Sequence, residues 1–276
     1  MARKQHRDGA RRWRVRDAGN FRLAEVDPGK TPGIHGRKAA EQALAAIQER
    51  MQSLQQALYA ESRQALLVVL QAMDTGGKDG TVRHVFGPLN PQGVRVTGFK
   101  VPTPEEAAHD FLWRIHREAP AHGMIGVFNR SHYEDVLVAR VHRLADRKTI
   151  AARYEQINDF ERMLQANGTR VLKCFLHISK QEQKARLLAR LDTPRKRWKY
   201  NPADLAERRR WPAYRNAYQA AIRACSPPDA PWHVIPADHK WYRNWAVATV
   251  VLQELERMAP RYPKPAEAIE GVEIPD

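Results

Sequence analysis

The sequence has few cysteines and lacks long apolar runs, and each absence excludes a class of protein. Its two cysteines, Cys174 and Cys225, form neither a disulfide framework nor a recognisable metal site, which favours a reducing, cytoplasmic location. No apolar stretch approaches the ~20 residues that a membrane-spanning helix needs. The first 16 residues contain several arginines but no apolar core of a signal peptide, and no internal repeat is visible. We therefore expect a globular cytoplasmic protein with no membrane partner.

The sequence has fewer acidic than basic residues. Lys and Arg number 46 against 31 Asp and Glu, so the formal net charge is +15. Such an excess indicates an anionic partner, which is nucleic acid, a membrane surface or a phosphate-rich substrate; charge that serves only solubility is the alternative. The length of 276 residues and the hydrophobic content of 43% suit one large α/β domain or two small ones.

The stretch LLVVLQAMDTGGKDGT, residues 66–81, joins an apolar run to a glycine-rich turn. The apolar run is typical of a buried parallel strand, although periodicity alone does not exclude a buried helix. Three glycines within five residues let the backbone turn sharply and bring its N–H groups close to a ligand, and a lysine in such a turn suits phosphate. The alternative is an ordinary turn between a strand and a helix. The candidate phosphate-binding residues are Thr75, Gly76, Gly77, Lys78, Asp79, Gly80 and Thr81.

This stretch departs from the usual phosphate-loop pattern at two positions. Ala72 stands where the pattern has its first Gly, and Asp79 stands where it has Ser or Thr.

Apolar strands alternate with helical patterns along the chain. The alternation predicts an α/β fold, a five-stranded parallel sheet with helices on both faces. A helix opened by Thr103 and Pro104 is expected to end near Pro120. The predicted strands are residues 66–70, 94–99, 124–128, 171–178 and 232–235, and the other main helices are 38–62, 149–167, 202–225 and 241–258.

We divide the chain into three parts. Residues 1–37 are basic and poor in apolar periodicity, which predicts an arm that is disordered or lies on the surface. Arginines around Trp13 in this arm are available to a polyanion or are simply solvated. Residues 38–259 form the α/β domain, and residues 260–276 form a proline-rich, extended tail.

Residues 129–135, NRSHYED, follow the third predicted strand directly. Because parallel strands present their carboxyl ends at one edge, this segment should meet the glycine-rich loop. Asp74, Glu134 and Asp135 are candidate Mg²⁺ ligands, since Mg²⁺ usually takes one or two carboxylates together with substrate phosphates. Arg130 is a candidate clamp for a transferring phosphoryl group. The alternatives are acids that decorate a helix N-terminus and a surface ion pair of Arg130.

Residues 186–199 carry six cations and lie between two predicted helices. A lid that closes over phosphates and excludes water would sit here, and we place it at about residues 186–215. A solvated basic loop is the alternative.

Four motifs together resemble polyphosphate kinase family 2. They are AMDTGGKDGT (72–81), NPQG (90–93), FNRSHYEDVLV (128–138) and IPADHKW (235–241). The resemblance extends over roughly residues 27–258. It is specific because ordinary nucleoside monophosphate kinases lack the Asn-Arg-Ser-x-Tyr-Glu-Asp element, and because the family contains both departures from the usual phosphate loop.

The resemblance implies a P-loop kinase fold with a helical lid. It also implies Mg²⁺-dependent phosphoryl transfer between inorganic polyphosphate and nucleotides, converting AMP or ADP to ADP or ATP. Asp74 and Asp135 would position magnesium and the acceptor phosphate, and Arg190 resembles the family's lid arginine, with Arg186 as the alternative. The catalytic residues implied by the resemblance are Asp74, Lys78, Asn129, Arg130, Glu134, Asp135 and Arg190.

Further expectations follow from the resemblance. The Met73–Asp74 form of the loop resembles the subgroup that acts on both nucleoside mono- and diphosphates. Family members are often dimers or tetramers, so we expect a homo-oligomer. The net charge suits a polyphosphate chain. Candidate contacts for that chain are Arg83, Lys100, Arg114 and Arg117.

Two rival functions remain open on the sequence alone. An ordinary ATP-dependent nucleotide kinase has the same fold and a different donor. A non-catalytic P-loop protein that binds nucleic acid is the other rival, and the absence of a nucleic-acid-reading motif counts against it.

Overall fold

The computed structural model describes residues 10–265 and residue 274, and a sheet of five parallel strands lies at its centre. The order across the sheet is β2-β3-β1-β4-β5, and every neighbouring pair is parallel. The predicted α/β fold with its five-stranded parallel sheet is therefore confirmed. The strands are β1 (Ala65–Ala72), β2 (Val94–Gly98), β3 (Ile125–Asn129), β4 (Thr169–His177) and β5 (Trp232–Pro236).

Strand β1 is central, with β3 on one side and β4 on the other. All eight of its residues are buried, which explains why its sequence is a continuous apolar run rather than an alternating one. Leu70 of β1 is paired with Asn129 at the end of β3. The loops that leave these two strands therefore start side by side at the carboxyl edge of the sheet, where open α/β sheets bind ligands.

Helices form a layer on each face of the sheet. Helices α1 and α10 pack together in one layer, and α5, α6 and α9 pack in the other. The α-helices in chain order are α1 (Gly36–Glu61), α2 (Lys78–Thr81), α3 (Pro104–Ala108), α4 (Trp113–His116), α5 (Glu134–Val141), α6 (Arg147–Ala166), α7 (Lys180–Asp192), α8 (Ala203–Arg209), α9 (Trp211–Ala224) and α10 (Lys240–Met258).

Two predicted helices are shorter than expected. The helix that Thr103 opens has the predicted N-cap, because the Thr103 hydroxyl accepts a 3.2 Å hydrogen bond from the backbone of Glu106, but it ends at Ala108. The predicted helix 202–225 is divided at Arg210 into α8 and α9. Pro212 has no N–H to continue the hydrogen-bond ladder of α8, so a new helix starts there.

The N-terminal segment differs from the expectation of a disordered or surface arm. Its Trp13 is 4% exposed and stacks edge-on against Tyr242 and Trp245 of α10. Backbone hydrogen bonds join Val15 N–H to Trp232 C=O (2.9 Å) and Val234 N–H to Trp13 C=O (2.8 Å). The segment therefore covers the outer edge of β5, which would otherwise present unpaired backbone groups.

The chain ends lie partly outside the described residues. Residues 1–9 of the predicted arm and residues 266–273, 275 and 276 of the predicted tail are outside them, while residues 260–265 form neither helix nor strand. None of the helices in the described part of the chain combines the length and the apolar content that a bilayer crossing requires.

The docking of Trp13 predicts a large loss of stability in Trp13→Ala. Removing a buried Trp side chain leaves a cavity and should lower the free energy of unfolding by about 3–5 kcal/mol. Urea unfolding followed by circular dichroism measures this loss. Trp198→Ala is the control, because Trp198 is 78% exposed and its loss should leave the unfolding midpoint unchanged. Equal midpoints in the two variants would contradict the docking of the N-terminal segment.

Candidate active site

The glycine-rich turn leaves β1 and enters α2 within five residues. Thr75 and Gly77 have positive φ angles of 61° and 99°. A Cβ atom on Gly76 would lie 2.4 Å from the Cβ of Ala72, and one on Gly77 would lie 1.9 Å from Nη1 of Arg243. Both positions therefore require glycine, because a side chain has no space there. The turn folds back on its own strand in the manner of a phosphate loop.

Lys78 is the cation of this loop. Its side chain is 9% exposed, and Nζ donates a 3.1 Å hydrogen bond to the carbonyl of Ala72. Burial and then the nearby Arg130 lower the pKa of Lys78, while Asp74 and other carboxylates oppose the shift. Thr81 donates from both its backbone N–H and its hydroxyl to the carbonyl of Gly77, so its side chain closes the loop from behind.

Asp79 connects the loop to two other segments. Its Oδ1 accepts a 2.9 Å hydrogen bond from Nδ2 of Asn129, and its Oδ2 lies 3.8 Å from Nζ of Lys199. The hydrogen bond from Asn129 is the main cause that lowers the pKa of Asp79. The side chain that replaces the usual Ser or Thr of a phosphate loop thus connects the loop to β3 and to the basic segment at residues 194–199.

Arg130 lies between two carboxylates. Its Nη2 is 3.3 Å from Oδ1 of Asp74 and its Nη1 is 3.9 Å from Oε2 of Glu134. Burial raises the pKa of Glu134, although Arg130 and Lys78 act in the opposite direction. The structure therefore brings together four of the predicted residues, Asp74, Lys78, Arg130 and Glu134, at the carboxyl edge of β1 and β3.

Asp135 contacts a different set of cations from its neighbour Glu134. Its Oδ2 lies 3.8 Å from Nη2 of Arg114, and its backbone carbonyl accepts a 2.9 Å hydrogen bond from Arg153. That Oδ2 is buried and has no hydrogen-bond partner, and burial raises the pKa of the carboxyl while Arg114 lowers it. Arg114 itself is buried and bonds to the carbonyl of Lys100, which argues against its expected role in an exposed polyphosphate track.

Arg190 and Arg186 have separate contacts, although one helical turn separates them. Arg190 pairs with Asp204 at 3.0 Å and so holds α7 to α8. Arg186 donates to the carbonyl of Thr75 in the phosphate loop (2.9 Å) and to that of Ala237 (2.6 Å). Arg186, the alternative to Arg190 in the sequence-based prediction, is thus the arginine that contacts the loop.

A cavity of about 330 Å³ opens beside the loop. Asp74, Arg130 and Glu134 line it together with apolar residues of α5. Helices α8 and α9 supply acidic and aromatic side chains to the same cavity. This wall was not predicted from the sequence, although the spacing of its aromatic residues by three and four positions along α9 was a usable signal. The wall residues are Asn201, Ala203, Asp204, Glu207, Trp211, Tyr214 and Tyr218.

Glu207 attaches α8 to the core at the rim of this cavity. Its Oε2 accepts a 2.5 Å hydrogen bond from the hydroxyl of Tyr214 and lies 2.9 Å from Nε2 of His142 at the end of α5. Burial acts to raise the pKa of Glu207, but Tyr214 and His142 outweigh it and the net shift is downward. These contacts of Glu207 hold α8 in place at the rim of the cavity.

A buried network supports residues 129–135 from below. Glu161 of α6 accepts a 2.8 Å hydrogen bond from the hydroxyl of Tyr133, lies 3.2 Å from Nε2 of His132 and pairs with Lys173 of β4. Lys173 also donates to the Tyr133 hydroxyl at 3.1 Å. These groups are all buried, so the ion pair is well shielded from solvent. Its geometry holds the segment that carries Asn129, Arg130 and Glu134.

These features define a class of protein. A glycine-rich loop with a buried lysine, placed at the carboxyl edge of a parallel sheet and facing an arginine and carboxylates, is the site of a P-loop kinase. The chain belongs to the polyphosphate kinase 2 family, whose model matches residues 35–263.

Similar proteins support this assignment over nearly the whole chain. The chain is 52% identical to the AMP/ADP-polyphosphate phosphotransferase of Meiothermus ruber over 265 residues, which cover 96% of this chain and 99% of that relative. It is 42% identical to the ADP-polyphosphate phosphotransferase of Rhodopseudomonas palustris, covering 88% and 91% of the two chains. The crystal structure of polyphosphate kinase 2 from Arthrobacter aurescens has a TM-score of 0.92 at 49% identity and covers 95% of this chain and 93% of that one.

Lys78→Ala should abolish phosphoryl transfer and leave the fold intact. If the ammonium binds phosphate oxygens in this shielded site, its loss should lower kcat about 10²–10³-fold. Initial rates at saturating substrate measure the change, and circular dichroism checks the fold. Lys148→Ala, which removes one exposed positive charge, is the control and should keep wild-type rates. Activity of Lys78→Ala within about threefold of wild type would exclude the assignment of this loop.

Proposed function

We propose that the protein transfers a phosphoryl group between inorganic polyphosphate and the nucleotides AMP or ADP, forming ADP or ATP. The observation that carries the proposal is the position of the phosphate loop beside a cavity with an aromatic wall. A polymer of phosphate needs only the loop and neighbouring cations, whereas a nucleotide acceptor also needs a surface for its base. The names of the similar proteins from M. ruber and R. palustris agree with this pair of substrates.

The acceptor occupies the cavity in this proposal. Its base lies against Trp211, Tyr214 or Tyr218, since aromatic side chains are suited to the face of a nucleobase. Its terminal phosphate is directed towards Arg130, which Asp74 and Glu134 hold in place. The aromatic wall and the charged end lie in the same cavity, so base and phosphate can be bound together.

The donor binds on the phosphate loop. Backbone N–H groups of the loop and the Lys78 ammonium hold the phosphoryl group that is transferred. Lys78 and Arg130 then face it from the donor and acceptor sides, and both can stabilise charge that develops on its oxygens. Positioning and charge stabilisation are the main catalytic contributions in such a site, because phosphoryl transfer requires little covalent chemistry from the protein.

Mg²⁺ is the cofactor that we assign to Asp74 and Asp135. Mg²⁺ usually takes one or two carboxylates and completes its shell with phosphate oxygens and water, so two acids are enough for this role. The buried Oδ2 of Asp135 has no hydrogen-bond partner and lies 3.8 Å from Nη2 of Arg114, so it keeps acceptor capacity for an ion. When bound, the ion neutralises phosphate charge. The other residues of the loop supply no further carboxylate besides Asp79, which Asn129 engages.

Three further features of the proposal concern the whole molecule. The segment of about residues 186–215 acts as a lid, and its Arg190–Asp204 pair keeps its two helices together as it moves. The enzyme works in the cytoplasm and as a homo-oligomer. Membership of a kinase family sets aside the rival interpretation of a non-catalytic protein that binds nucleic acid.

The donor can be tested directly. We expect ATP from ADP, and ADP from AMP, with long-chain polyphosphate as the sole donor. The KM for polyphosphate should rise steeply with ionic strength, because a polyanion that binds cations releases counterions, while the KM for the nucleotide should change much less. A luciferase assay across a salt series measures both constants. Failure to form ATP under all these conditions, together with rapid formation of ADP from ATP and AMP, would instead establish an ordinary nucleotide kinase.

The metal assignment predicts a difference between two neighbouring acids. Asp135→Asn should raise the half-saturating concentration of Mg²⁺ and lower activity more than Glu134→Gln does, because the amide keeps the shape and removes the charge that binds the ion. Glu134→Gln should act mainly through Arg130, its ion-pair partner. Initial rates over a Mg²⁺ titration separate the two effects. An unchanged titration in Asp135→Asn would move the metal site away from this residue.

A further inference from the structure

Arg243 is a buried cation behind the phosphate loop that the proposed reaction does not use. It lies in the first turn of α10 and is 2% exposed. A Cβ atom on Gly77 would lie 1.9 Å from its Nη1, and one on Gly80 would lie 3.0 Å from its Nη2. The guanidinium thus occupies the space that a side chain at Gly77 or Gly80 would enter. It is too deeply buried to contact a substrate itself.

The charge of Arg243 has no counter-ion in the described part of the chain. Its hydrogen bonds go to Oδ1 of Asn244, at 3.2 Å from Nε and 2.7 Å from Nη2, and an amide oxygen is neutral. Burial, followed by the repulsion of Arg186, lowers the pKa of Arg243 to about 10. Glu182 is a nearby acid, but it pairs with Arg186 at 2.7 Å.

A third cation joins this cluster. Lys240 is in the same turn of α10 as Arg243, and its pKa is lowered by burial and then by the charge of Arg186. Arg186 itself donates to the carbonyl of Thr75 in the loop. Arg243 and Arg186 are thus two buried cations behind the loop, whereas Lys240 is exposed. A buried charge without a partner is unfavourable, and an anion bound on the other side of the loop would relieve it.

We propose that Arg243 is a positioning residue for the phosphates of the donor. Its guanidinium supports the loop at Gly77 and provides a positive charge that only a bound phosphate chain balances. This inference rests on the proposed function only in taking polyphosphate as the donor, because the phosphates of any other donor would meet the same charge. If Arg243 had only a structural role, it would fill the same space, but its charge would not affect the binding of phosphate.

The structure offers a test that changes the charge without changing the shape. Asn244→Asp places a carboxylate on the atoms that already contact Arg243. This variant should be at least as stable as wild type without phosphate, and should lose much of the rise in Tm that inorganic tripolyphosphate causes in wild type. Arg243→Met should lose the same rise. Arg257→Met is the control, because Arg257 lies at the far end of α10 and is half-exposed, so its loss should preserve the rise in Tm.

Steady-state kinetics provide a second readout. In Asn244→Asp and Arg243→Met, the KM for polyphosphate should rise roughly tenfold, as expected for the loss of one charge acting through the loop. The KM for the nucleotide and kcat at saturating polyphosphate should change less. Arg243→Lys should recover part of the affinity, because the charge is kept. This split between the two substrates is not expected from a general loss of packing.

Each outcome decides between the alternatives. A full rise in Tm with tripolyphosphate in Asn244→Asp, together with an unchanged KM for polyphosphate, would overturn the proposal, and that variant decides the matter if Arg243→Met does not fold. Absence of any rise in wild-type protein would overturn both the phosphate site and this inference. Binding of tripolyphosphate without phosphoryl transfer from polyphosphate would leave the role of Arg243 intact and overturn only the proposed donor.

Discussion

Positive charge that is buried around the phosphate loop is the constraint on which the rest of this structure depends. Lys78, Arg186 and Arg243 are all shielded from water, and each is held by neutral oxygens or by a carboxylate of the protein. Burial of a cation is unfavourable unless it is paired, and the anion that we propose on the loop would offset this cost. The glycines follow from the same constraint, because a side chain at Gly77 would displace the guanidinium of Arg243.

The remainder of the site is organised from the sheet outward. Strand β1 places the loop, and β3 places Asn129 and Arg130 next to it because the two strands are paired in parallel register. The buried pair of Lys173 and Glu161 then fixes the turn after β3. Helices α8 and α9 complete the cavity from the side, through contacts such as that of Glu207 with His142. The cationic loop and the aromatic cavity are thus two neighbouring compartments at one edge of the sheet.

Local sequence signals were sufficient for much of the fold. A continuous apolar run followed by glycines identified β1 and its loop, since burial on both faces and sharp backbone turns leave direct traces in the sequence. The segment 129–135 was identified in the same way, because it follows another apolar strand. The break at Arg210 was not predicted, although Pro212, which marks it, is visible in the sequence.

Contacts between distant residues were not predictable from such signals. The docking of Trp13 against Tyr242 joins residues 229 positions apart, and no local pattern indicates it. Which of Arg186 and Arg190 contacts the loop depends on the position of α7 along its axis, because residues four apart lie one turn apart on the same helix face. The different partners of Glu134 and Asp135 depend on the rotation of α5 about its axis. Arg243 was missed because its burial results from the packing of α10 against the loop, although it lies two residues beyond a motif that the sequence analysis identified.

The central claim is that donor phosphates occupy the loop while the acceptor nucleotide occupies the adjacent cavity. A crystal structure of the protein with inorganic tripolyphosphate and AMP tests it most directly. We predict that tripolyphosphate lies within hydrogen-bonding distance of the loop N–H groups and of Nζ of Lys78, with the AMP base against the aromatic wall and its phosphate facing Arg130. A structure with the AMP phosphate on the loop, or with tripolyphosphate on the basic segment at residues 194–199 and the loop unoccupied, would contradict the account.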